Sequence, residues 1–253
     1  MAEPVSIGWV YSSVLLSLRV SPVFALAPPF SLTQVPILFR ALFGLGISAC
    51  LVAANPAAAA VNDLGLANIF LIAIRELALG SIFVLAMQMM FGALYMAGRT
   101  LDIQAGFGLA LLIDPATRTQ TPLIGTLFAY AAAAVFFGLD GHAELLRIMG
   151  ASLQAIPLGS GHMPLSLTHL TAFVSAVFMI SFGVAGGAIL CLFLADAAIA
   201  MLSRTVPQMN VLILGLQVKT ILVLLVLPAT FGFAGALFAR LARVTLEAIP
   251  GLL

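Results

Sequence analysis

Apolar runs long enough to cross a bilayer recur along this chain, each interrupted by very few charged side chains, and they leave it few ways to fold. Of its 253 residues, 63% are hydrophobic and 8% are charged, whereas soluble domains carry about 25% charged residues. Such a chain has too little polar surface to enclose itself in water, so it reads as an integral membrane or membrane-derived protein. Helices are the natural element, because a helix satisfies its own backbone N–H and C=O groups where water is absent. The net charge of +1 supplies no electrostatic reason to expect nucleic acid as a partner.

Six apolar segments emerge, at about residues 5–27, 41–60, 66–98, 122–139, 165–201 and 211–238. Prolines 22, 28 and 29 bend the exit of the first, and Pro228 is expected to kink the last. Residues 131–134 of the fourth segment are alanines, a face for close helix approach. A shorter amphipathic helix is expected over 144–156, with Leu145, Ile148, Met149, Leu153 and Ile156 on one face. Pro157-Leu158-Gly159-Ser160-Gly161 has linker composition and marks a domain-like boundary. The first residues include Glu3 and no basic residue, so they are read as mature chain rather than as a secretory signal.

The stretch 98–122 breaks this pattern near the middle. It concentrates Arg99, Asp102, Asp114 and Arg118 around an apolar run, 105–113, that contains Gly106-Phe107-Gly108. That run is far short of the roughly 20 residues a span needs. With glycines that permit bending and a break at Asp114-Pro115, the stretch reads as a mobile apolar loop between two helices.

Charges inside apolar segments call for partners. Arg19 either faces protein or water, or snorkels to an interface. Arg75 and Glu76 point about 100° apart on a helix, so they are expected to reach separate partners. Arg19, Arg75, Glu76, Arg204 and Lys219 are assigned to interhelix or intersubunit polar contacts, because unpaired burial is costly. Met87, Met89, Met90 and Met96 read as core filling, with a deformable pore lining as the alternative. Cys50 and Cys191 are expected to be buried, inert thiols. His142 reads as a hydrogen-bonded loop residue, and no two histidines sit four apart on a helix, so no metal site is expected. Walker, Rossmann, zinc and nucleophile-elbow motifs are absent, so an intramembrane enzyme is poorly supported by the sequence.

Several residues, in order and spacing, carry a resemblance. They are Arg19 with Pro22 and Ala27-Pro28; Glu76 and Gly80; Gly98, Asp102, Gly106-Phe107 and Asp114-Pro115; Gly141-His142, Ser152 and Pro157; and Arg204 with Pro207-Gln208-Met209-Asn210. In these the chain resembles the FliR family, the R-type export-gate subunit of flagellar type III secretion, whose virulence-system relatives are called SctT. One departure is Asp140, where the family often has a second glycine.

The resemblance implies an all-α chain of hydrophobic helical hairpins, with a P-type-like four-segment part at 1–156 and a Q-type-like two-helix hairpin at 157–253. It implies a non-enzymatic, cofactor-free subunit of the bacterial inner membrane at the flagellar basal body. Its partners are P-type and Q-type gate subunits, the B-type and A-type membrane proteins of the export apparatus, unfolded export substrates and membrane lipid. The assembled gate of that family lies largely above the lipid plane. The family's pore plug falls here on 106–122, with Gly106, Phe107, Gly108, Leu109, Leu111, Leu112, Ile113, Asp114 and Pro115 as its residues. The competing reading is a stand-alone membrane transporter or channel for small solutes.

Overall fold

The computed structural model describes residues 7–32, 35–61, 65–107, 122–160, 166–206, 208 and 210–253. Among the described residues it is all-helical, with seven α-helices and no strand. These are α1 (Ile7–Leu26), α2 (Ile37–Ala54), α3 (Leu66–Gln104), α4 (Leu123–Gly138), α5 (Gly141–Ala155), α6 (Leu167–Thr205) and α7 (Val211–Leu252), with a 3-10 turn at Phe30–Leu32 between α1 and α2. Five of them, α1, α2, α3, α6 and α7, are long and apolar enough to cross a membrane. A sixth span is reached if α4 and α5 are counted together as one bent pair.

Helix ends differ from expectation in informative ways. The helix predicted to stop at Gly98 continues to Gln104, so Arg99 and Asp102 are helical rather than part of a loop. What ends α3 is Gly106, whose φ of 85° lies in the left-handed region. Its N–H donates to the carbonyl of Ile103 at 3.1 Å and that of Ala105 to Leu101 at 2.8 Å, so a glycine terminates the helix by the usual route. The last helix runs through Pro228 to Leu252. At about 1.5 Å per residue, α3, α6 and α7 reach roughly 58–63 Å, about twice the hydrocarbon core of a bilayer.

Residue contacts divide the chain into two compact units, interleaved in sequence. Unit one comprises Met1–Met89, Phe137–Val174 and Arg243–Leu253; unit two comprises Met90–Phe136 and Ser175–Ala242. Unit one contains α1, α2, the first part of α3 and α5. The apolar stripe expected on α5 is its buried face, from Leu145 through Ile148, Met149 and Leu153 to Ile156. The stretch after α5, expected as a linker, is docked. Leu158 is buried and its N–H donates to the carbonyl of Ala58 at 3.0 Å, while Ser12 Oγ donates to the neighbouring carbonyl of Ala59 at 2.6 Å.

In unit two, Phe128 of α4 lies edge-on to Phe231 and Phe238 of α7, with ring centroids 5.5 and 6.2 Å away. Met90 is fully buried, as is Met87 in unit one, whereas Met96 is exposed, so core filling accounts for only part of the methionine set. Cys50 is exposed and Cys191 half-buried, which corrects the expectation of two buried thiols. The face of α2 that carries Cys50 also exposes Leu38, Phe39, Leu42 and Phe43.

Asp140, between α4 and α5, adopts φ 55° and ψ 27°, the left-handed conformation that glycine takes freely and that Asp and Asn tolerate better than other side chains. Its carbonyl accepts from the N–H groups of Ala143 and Glu144 at 2.9 and 3.1 Å, starting α5. Replacing Asp140 by Gly is expected to preserve stability, whereas Asp140→Val should cost about 1–2 kcal/mol. Denaturation of the detergent-solubilised protein measures the difference.

Candidate functional site

Two side-chain constellations stand out, one in each unit. In unit two, Asp102 lies near the C-terminal end of α3, 6% exposed, facing the first turn of α4. Its Oδ1 and Oδ2 each accept from the N–H of Ile124 at 3.1 Å, and Oδ2 also accepts from the N–H of Gly125 at 3.2 Å. The first N–H groups of any helix lack intrahelical partners and carry positive partial charge, so a carboxylate supplied by another helix caps α4. Without it, two buried donors would go unsatisfied, at a cost of about 1–3 kcal/mol each.

One turn before Asp102, α3 and α4 touch backbone to backbone. A Cβ placed on Gly98 would lie 2.5 Å from Gly125 Cα, and one on Gly125 would lie 2.7 Å from the carbonyl oxygen of Tyr95. Gly98 is therefore a contact residue inside a continuous helix, not a breaker. A close helix approach is made at this glycine pair. Of the expected plug residues, Gly106 and Phe107 are partly exposed at the exit of α3. Gly108, Leu109, Leu111, Leu112, Ile113, Asp114 and Pro115 lie outside the described residues.

In unit one, Arg19 of α1 is 0% exposed and Glu76 of α3 is 2% exposed. The guanidinium donates from Nε to Oε2 at 2.6 Å and from Nη2 to Oε1 at 3.0 Å, a bidentate pair. Nη2 also donates to the carbonyl of Ile156 at 3.0 Å, and Nη1 to Ser152 Oγ at 3.3 Å. Burial rules out the snorkelling alternative. The position is favourable because Ile156 is the C-cap of α5, where carbonyls point outward and a cation is stabilised. Gly80, one turn after Glu76, lets α3 reach α1: a Cβ there would sit 2.7 Å from the Arg19 carbonyl oxygen and 2.8 Å from that of Leu18.

The remaining singled-out charges are more dispersed. Lys219 of α7 pairs with Asp196 of α6, both in unit two, and Asp196 stays about half exposed. Arg75, partly exposed, and Arg204, exposed, form no ion pair among the described residues. Glu144 and Arg147 pair on the exposed side of α5, a contact of small energetic weight. His142 is in the first turn of α5, its ring 5.7 Å from that of Phe137. Its buried Nδ1 has no hydrogen-bond partner among the described residues, and the residue is helical, which corrects the reading of a hydrogen-bonded loop residue. No partner is readable from the sequence for these groups; the structure supplies Glu76, Ser152 and the Ile156 carbonyl for Arg19, Asp196 for Lys219 and Gly125 for Gly98. Most of these lie on helices distant in sequence, and the only hint of them was a charge set inside an apolar segment.

Residues 10–244 match the family described as bacterial export proteins, family 1. The chain belongs to this family. Similarity to individual export proteins extends over nearly full length: 28% identity to the flagellar biosynthetic protein FliR of Bacillus subtilis (strain 168), covering 95% of this chain and 93% of that protein. The FliR of Escherichia coli (strain K12) is 24% identical, with 93% and 91% covered. The secretion system apparatus protein SsaT of Salmonella typhimurium is 31% identical over 146 residues, 57% of this chain and 56% of SsaT. All the described contact residues above, from Arg19 to Lys219, fall inside the part that matches the export-protein family.

Breaking the Arg19–Glu76 pair from one side leaves a buried charge uncompensated. Arg19→Ala or Glu76→Ala is expected to destabilise this export protein by about 3–5 kcal/mol, whereas replacing both by Met should recover most of the loss. Denaturant titration of the three variants in one detergent measures both effects. A double variant no better than the single ones would show that the pair contributes through more than charge compensation.

Proposed function

We propose that this chain is a non-enzymatic component of a type III export apparatus, and more specifically the R-type subunit of the flagellar export gate. There it joins P-type and Q-type subunits, beside the B-type and A-type membrane proteins, to form the passage through which unfolded flagellar proteins leave the cell. The observation that carries this reading is the match of residues 10–244 to the export-protein family, together with similarity to flagellar FliR over nine-tenths of both chains. The five apolar helices support a place in the bacterial inner membrane, and the similarity to flagellar FliR supports the basal body as its site.

The exposed apolar side chains call for a cover outside this chain. Phe39 and Phe43 on α2, Met179 and Phe193 on α6, and Leu225 and Phe233 on α7 are all exposed. Helix faces of this kind need sibling chains or lipid against them. In this reading residues 1–156 correspond to a P-type portion and 157–253 to a Q-type hairpin, whose two helices are tied by Asp196 and Lys219.

The loop 106–122 is the plug. An unfolded chain needs a passage wide enough for peptide, which leaks ions when idle unless something fills it. Apolar side chains from Phe107 through Leu109, Leu111, Leu112 and Ile113 supply a constriction that excludes water. Two experiments test the proposal. Purification in mild detergent is expected to bring down other small hydrophobic gate subunits in fixed ratio; a lone, monodisperse chain that moves solute in liposomes would identify a transporter instead. Deletion of residues 105–113 is expected to raise ion leakage across the host membrane. Unchanged leakage with normal secretion would remove the plug assignment.

A further inference from the structure

Helix α2 carries a single charge, Arg40, in its first turn, and it buries only a narrow stripe, Gly44, Ser48 and Val52. The guanidinium of Arg40 folds back over the end of α1. Its Nε donates to the carbonyl of Val35 at 3.1 Å, and its Nη1 to those of Ala25 at 2.7 Å and Phe30 at 3.4 Å. Carbonyls in the last turn of a helix are short of donors, so Arg40 caps α1. Those carbonyls are neutral, however, and leave its charge without a counter-ion. Among the described residues no carboxylate pairs with Arg40 and its Nη2 donates to nothing.

The same side chain lines a cleft of about 300 Å³, whose other walls are Phe24, Phe30, Val35, Phe39 and Phe43. That volume is at the lower end of the range for small-molecule sites. Phe24 is buried, its ring 4.8 Å from that of Phe30 and 5.4 Å from that of Phe43, whereas Phe39 and Phe43 are 64% and 61% exposed. The cleft is therefore rooted in the core of unit one and open on the outer face of α2, where Leu38 and Leu42 continue the apolar surface. The 18 residues of α2 span about 27 Å, close to the roughly 30 Å of a bilayer's hydrocarbon core. With no charge from Ala41 to Ala54, a crossing α2 sets Arg40 at one edge of that core, the depth of lipid phosphates.

We propose that this cleft seats one anionic phospholipid, its phosphate on Arg40 and the upper part of an acyl chain among the phenylalanines. The planar guanidinium fork suits a phosphate, and basic pockets between membrane helices hold anionic headgroups. A zwitterionic lipid fills the apolar part as well but brings a cation of its own, so only the anionic one neutralises the site. Because three carbonyls already hold the guanidinium, little side-chain freedom is lost on binding. A protein chain covering this face would have to carry an acid into a cleft rimmed by phenylalanine, whereas a phospholipid supplies the anion and the hydrocarbon in one molecule. The site stands apart from the gate assignment: it requires a membrane around α2, not particular sibling subunits.

Photocrosslinking tests it. Phe39 is replaced by photoreactive benzoylphenylalanine, and the protein, purified in mild detergent with any chains that accompany it, is returned to vesicles. These contain equal parts of phosphatidylglycerol and phosphatidylcholine with the same acyl chains, and mass spectrometry counts the two adducts after irradiation. Phosphatidylglycerol adducts are expected to be in several-fold excess, and Arg40→Gln to return the ratio to that of the vesicle. The same photoreactive residue in place of Leu225, 69% exposed on α7, is expected to give the vesicle ratio with or without Arg40.

Equal adducts at position 39 overturn the proposal. So does an excess that survives Arg40→Gln, or a label that captures an accompanying protein chain in place of lipid. If Arg40→Gln does not fold, the ratio at position 39 set against that at position 225 decides alone: an excess confined to 39 supports the site, and equal ratios overturn it.

Discussion

A buried arginine in an apolar chain must be answered, and the answer organises unit one. Arg19 offers a planar fork of donors; Glu76 takes two of them, and the end of α5 takes the others through Ser152 and the carbonyl of Ile156. A lysine in its place would bring the charge but not the fork, and could not meet three acceptors fixed in different directions. Because the partners come from two further elements, α1, α3 and the end of α5 are registered against one another to the accuracy of a hydrogen bond. Gly80 is part of the same arrangement, since the pair closes only if the two helix backbones come within contact.

Unit two solves a similar problem with fewer polar atoms. There the contact between α3 and α4 is made by two glycines, and its register is secured by a carboxylate at a helix N-terminus. Both solutions place the specificity of the fold in a handful of hydrogen bonds set in apolar surroundings, where van der Waals contact alone discriminates poorly between one register and the next. Both also leave long helical faces uncovered. Buried polar groups hold the helices in register, while apolar side chains both fill the core and cover long outward faces.

The helices were legible because an apolar run of the right length, bounded by proline, glycine or charge, has one good conformation where water is scarce. The amphipathic stripe of α5 was legible for the same reason, five side chains at helical spacing that all turn out to be buried. The end of α3 was not. The apolar pattern stops at Gly98 and Gly106 reads as a bend, yet the helix continues past Gly98, which is a packing contact within it, and Gly106 is the stop. A glycine's meaning depends on whether another backbone arrives beside it. Cys50 misled for a related reason, since an apolar neighbourhood in sequence does not say which face of α2 will be covered. His142 reads as a loop residue and the stretch from Pro157 as a linker, yet the His142 ring lies against Phe137 in the first turn of α5, and Leu158 is buried with its N–H bonded to the carbonyl of Ala58.

Sequence alone determined that this protein is helical, apolar and free of common catalytic motifs, and the order of its charges and prolines carried the resemblance to export-gate proteins. These properties are local or compositional, so they survive without coordinates. Tertiary structure alone decided that Arg19 pairs with Glu76 rather than reaching for the interface, that Asp102 caps α4, and that two glycines mark contact rather than flexibility. Each of those outcomes depends on which residue, tens of positions away, is brought within three ångströms, and a one-dimensional pattern contains no record of that distance.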